Sequence, residues 1–153
     1  MLRALLLLLL VSAVAFAASC GDAPDHEVEG HAGHVHAAPH GGVLVVLAEE
    51  ALHVELLLDA TTGTLSLFVL GPHADAPLRI AQPEVALTLR VQGAEHRVAL
   101  PAVASELTGE TVGDTSQFAA RVDTLVGAES FSGTIDEISA RGSRFSAFPF
   151  TYP

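Results

Sequence analysis

Short runs of alternating apolar and polar residues fill most of the chain after position 42, and nowhere does an apolar stripe recur at the three-to-four spacing of a long helix. The clearest run is 84–91, where Val85, Leu87, Leu89 and Val91 share one face and Glu84, Thr88 and Arg90 the other. Gly93-Ala94 suits a tight turn with glycine leading, and residues 96–100 return beside the first run. Leu52-His53-Val54-Glu55-Leu56 alternates in the same way. The stretch 59–63 makes a hairpin loop into a strand at 64–70, and 71–77 forms another turn. Val43 to Leu47 is apolar throughout, the pattern of a strand buried on both faces. Strands at 117–122, 131–138 and 143–150 complete a set of about eight, with turns around 127–129 and 141–143. The longest irregular stretch is 101–116. Short strands, regular turns and no helix predict an all-β fold, a single immunoglobulin-like β-sandwich over residues 40–153.

Ahead of that domain the texture differs. Arg3 is followed by an apolar stretch from Leu5 to Phe16 and the small residues Ala17-Ala18-Ser19, which is the layout of an export signal over 1–19. The stretch is shorter than the roughly 20 apolar residues that a spanning helix needs. Residues 20–39 have no hydrophobic period, contain Gly30, Gly33 and Pro39, and read as a flexible tether. Cys20 is the only cysteine, so the chain cannot form an internal disulfide and must hold its fold by burial.

Charge narrows the partners. Removing residues 1–19 takes Arg3 and leaves six basic side chains against eighteen acidic ones, a net charge of −12 with histidine neutral. There is no lysine. Such a chain repels nucleic acid and anionic lipid and attracts cations.

Histidines supply the candidate chemistry. Five of the eight lie between positions 26 and 40: His26, His31, His34, His36 and His40, with Asp22, Asp25, Glu27 and Glu29 among them. Neutral imidazole is the commonest metal ligand near pH 7, and a His-rich tract reads as metal binding. A polar spacer that merely tolerates histidine is the alternative. The single methionine, Met1, leaves with the export signal and Cys20 is the single thiol, so Cu(I), which prefers several sulfur donors, is poorly served. Zn(II), Cu(II), Ni(II) or Co(II) suit the nitrogen and oxygen donors better.

A second candidate lies in the domain. His53 and Glu55 project from one strand face about 7 Å apart by the strand rise. With His40 from a neighbouring segment they would make a His-His-Glu site; a solvated strand face would show the same spacing. His96 shares parity with Val98 and Leu100 and reads as partly buried, while His73 in its turn reads as solvated. No nucleophile elbow, HExxH or phosphate-cradling glycine loop is present, which argues against an enzyme.

Two resemblances bear on function. Ala17-Ala18-Ser19-Cys20 resembles the lipobox of bacterial lipoproteins, with Ala17 where that family usually has Leu. It implies that Cys20 is lipidated and anchors the mature chain without a spanning helix. Gly21 rather than Asp after the cysteine implies an outer-membrane, periplasm-facing position. Pro39-His40-Gly41-Gly42 followed by HVELLLDATTGTLSLFVLG at 53–71 resembles bacterial lipoproteins with His-rich leaders and periplasmic segments of RND-type heavy-metal efflux adaptors. That likeness covers roughly 31–81 and singles out His40, Gly41, Gly42, His53 and Glu55. It implies a periplasmic metal-handling or metal-sensing accessory, with an efflux or envelope protein as the expected partner. The competing expectation is a non-catalytic interaction module whose His-rich segment is a spacer.

Overall fold

Every strand that alternates in sequence places its apolar face in one shared core. The computed structural model describes residues 36–153, which belong to one compact unit. The stretch 1–19 expected to be an export signal, Cys20 and the histidines at 26, 31 and 34 lie outside the described residues. Among the described residues eight strands form two four-stranded antiparallel sheets. The first runs in the order β1 (Val43–Leu47), β2 (Leu52–Asp59), β3 (Thr64–Leu70) and β6 (Gln117–Arg121). The second runs β5 (Ala94–Pro101), β4 (Glu84–Val91), β7 (Phe131–Ala140) and β8 (Ser143–Tyr152). A 3-10 turn at Asp123–Leu125 links β6 towards β7 and buries Leu125. The described residues are all-β, and their architecture is the expected β-sandwich.

The core lies between the sheets. Leu52, Val54 and Leu56 of β2 and Leu65, Leu67 and Val69 of β3 meet Val85, Leu87, Leu89 and Ile135 from the other layer. Full burial of one such side chain contributes about 1.5–3 kcal/mol. Among the described residues no helix is long and apolar enough to cross a membrane.

Two local expectations are corrected. β1 is not buried on both faces: it pairs only with β2, buries Val45 and Leu47, and leaves Val46 50% exposed. An uninterrupted apolar run therefore marks an edge strand here, with one face in the core. The β4–β5 turn is Gln92-Gly93, with φ of 49° and 84°, rather than Gly93-Ala94. Two successive left-handed residues make a type I′ turn, whose twist matches the strands it joins, so glycine stands second.

What matters for the site is the outer face of the first sheet. β2 is buried on both faces from Leu52 to Leu56. The inner face packs into the core. On the outer face, residues 36–42 fold back across His53 and Glu55.

Candidate metal centre on the outer face of the first sheet

Glu55 is the fixed point of the fold-back. It is 0% exposed, and its Oε1 accepts from the backbone N–H groups of His40 (2.9 Å) and Gly42 (2.8 Å). Its Oε2 accepts from the His40 N–H at 3.1 Å and lies 2.7 Å from His40 Nδ1. A carboxylate can only accept, so Nδ1 carries the proton. The His40 ring also stacks on Phe68, with centroids 3.9 Å apart and planes at 15°. Phe68 stands opposite Glu55 across the β2–β3 ladder, which sets this contact.

Gly42 makes the approach possible. A Cβ there would run into the carbonyl of Leu56 and the side chain of Glu55, so only glycine lets the backbone lie this close to β2.

His53 occupies the other end of the same face. It is 0% exposed, and its Nδ1 lies 3.1 Å from the carbonyl oxygen of Gly71. A carbonyl only accepts, so Nδ1 is the donor, and in the neutral ring the lone pair belongs to Nε2. That Nε2 is buried and has no hydrogen-bond partner. The His36 ring packs edge-on against it, with centroids 4.8 Å apart, and His36 Nε2 is also buried and unpartnered. His73, exposed in the turn after β3, has its ring centroid 6.1 Å from that of His36.

The candidate residues therefore separate into two groups. His40 and Glu55 come together, and both Glu55 oxygens are turned onto the fold-back. His53 joins His36 instead. Burial of both His53 and Glu55 rules out the solvated strand face. Among the described residues no three His, Cys, Asp or Glu side chains converge tightly enough, as they stand, to hold a metal ion. His96 is half-buried on β5, as its parity implied.

A second buried carboxylate lies in the stretch that read as irregular. Glu110 accepts from Ser116 N–H (2.9 Å), Ser116 Oγ (2.6 Å) and Thr108 Oγ1 (2.8 Å). Arg79 Nε lies 3.7 Å away. Burial opposes ionisation of Glu110, but these hydrogen bonds and the Arg79 charge outweigh it and hold the carboxyl below its ordinary value. Glu110 and Arg79 help to line a cleft of about 340 Å³ that also includes His40, Phe68, Asp75 and Gln117. Sequence pattern gave no sign of this cluster, because its members sit in turns without period.

Comparison with protein families, curated proteins and solved structures finds no match for the chain.

Proposed function

We propose that this protein is a lipid-anchored, periplasm-facing lipoprotein that binds divalent transition-metal ions. It buffers them or passes them to an efflux or envelope partner, without catalysing a reaction. Cys20 carries the lipid, and the histidines at 26, 31, 34, 36 and 40 collect cations close to the membrane. One observation carries most of the reading: the Gly71 carbonyl holds Nδ1 of His53, and the ring, whose Nε2 is bare and buried, packs edge-on against a second imidazole. Metal-bound histidines are held in this way, with the other ring nitrogen donating to a carbonyl or carboxylate. His40 has the same arrangement, with Glu55 as its acceptor. Glu55 serves here as an orienting group for His40 rather than as a ligand.

The donor set defines the ion class. Imidazole nitrogens favour Zn(II), Cu(II), Ni(II) and Co(II) over Ca(II) and Mg(II), which take oxygen. A net negative chain raises the local concentration of any of them.

Titration of the chain from Gly21 onward with Zn(II), Cu(II) and Ni(II) by calorimetry at pH 7.5 tests the reading. Uptake at micromolar metal, with no response to Mg(II), is expected. Silence towards all three transition metals contradicts it.

The interaction-module reading has one observation of its own. Leu107 is 100% exposed and Val112 64% exposed on the 102–116 segment, where a partner would cover them. Capture of a single envelope protein that is lost in Leu107→Asp, together with silence in the metal titration, would favour it.

A further inference from the structure

We infer that His36, His53 and His73 form one transition-metal site, with His53 as its buried anchor. This rests on the proposed metal-binding function and deepens it by assigning the residues of a site within the folded domain.

The two unpartnered nitrogens are the starting point. Burying an imidazole nitrogen without a partner is unfavourable, so a sandwich gains by placing an apolar side chain there or by filling the site with something polar. Neither His53 nor His36 meets a protein donor or acceptor at Nε2, although their rings touch. Two bare nitrogens on abutting rings make half of a tetrahedral set.

The third ligand comes from the loop that already orients the first. Gly71 supplies the carbonyl that holds His53 Nδ1, and His73 follows two residues later. Its ring stands 6.1 Å from that of His36 and is exposed, so in the proposed site it turns in by rotation about its side-chain bonds. Exposed side chains change rotamer in picoseconds to nanoseconds, so the site can close around an ion without moving β2 or β3.

Three neutral imidazoles and no carboxylate select a borderline divalent ion and leave a fourth position open to water or to a recipient ligand. That open position suits handover. Binding also ties residue 36 to β2, so the ion clasps the fold-back to the outer face of the sheet.

The test uses the mature protein in detergent, titrated with Co(II) at pH 7.5 and followed by its visible absorption. His53→Gln, His73→Ala and a triple leader variant, His26→Ala/His31→Ala/His34→Ala, are compared with wild type. The tightest equivalent is expected to weaken at least about tenfold in His73→Ala and to vanish in His53→Gln, while the leader variant keeps it. His73 is exposed, so its variant decides the matter even if His53→Gln fails to fold. A tightest equivalent that survives both domain variants and is lost in the leader variant overturns the three-histidine site and leaves metal binding by the tether standing. No Co(II) uptake by wild type overturns both.

Discussion

His40 and Glu55, fifteen residues apart, are joined by three hydrogen bonds that all end on one fully buried carboxylate. A fourth, from Gly42, lands on the same group. The bonds hold the segment before β1 against β2. Glu55→Gln keeps the shape but replaces a charged acceptor with an amide, which can accept at only one oxygen. A loss of about 1.5–3 kcal/mol is expected, as for hydrogen bonds to a charged group, read from denaturant midpoints at pH 7. An unchanged midpoint would mean that the fold-back contributes little.

Gly42 and Gly41 separate two reasons for glycine. Gly41 has φ of +80° with open space around it, whereas a Cβ on Gly42 meets the β2 backbone. Gly42→Ala is expected to cost about 1–3 kcal/mol through overpacking and to loosen the His40–Glu55 contact. Gly41→Ala costs about 1–2 kcal/mol from its left-handed backbone alone. Proteolysis at residues 36–42 distinguishes them, rising in Gly42→Ala and staying near wild type in Gly41→Ala.

Much of the sandwich could be read from alternation. β4 was legible residue by residue because one of its faces lies wholly in the core. β1 was not, since an edge strand of five apolar residues has the same pattern as a doubly buried one. Parity also put His53 and Glu55 together on the face away from the core. What parity cannot convey is that a segment thirteen to seventeen residues upstream returns to cover that face. The covering segment has no period of its own, and its glycine pair is the only local trace of the close approach. Glu110 was invisible for the same reason: its partners, Thr108, Ser116 and Arg79, are gathered by turns.

Glu110 couples stability to acid. Its folded carboxyl sits below the ordinary value of 4.5, so the stabilisation is fully present above that pH. It is lost as pH falls through the depressed folded value. Glu110→Gln is therefore expected to be less stable than wild type at pH 7 by about 1–3 kcal/mol. The gap should narrow steadily below pH 4.5. Thermal melts of both forms between pH 3 and 7 measure it, and a constant gap would contradict the assignment.

Metal uptake is weakened by acid too, but in a higher pH range. A ring nitrogen must be free of its proton to ligate, so apparent affinity is expected to fall steeply below about pH 6. Calorimetric titration with Zn(II) at pH 5, 6 and 7.5 checks this. A flat response would assign the ion to carboxylates.

The most direct measurement is on the His53 ring itself, by two-bond proton–nitrogen correlation of the nitrogen-labelled protein with and without Zn(II). Before metal, Nδ1 is expected to be protonated and Nε2 to show the shift of a free lone pair. One equivalent of Zn(II) should move Nε2 to the metal-bound range and leave Nδ1 unchanged. An Nε2 that is already protonated, or one that does not respond to the ion, would contradict the account at its centre.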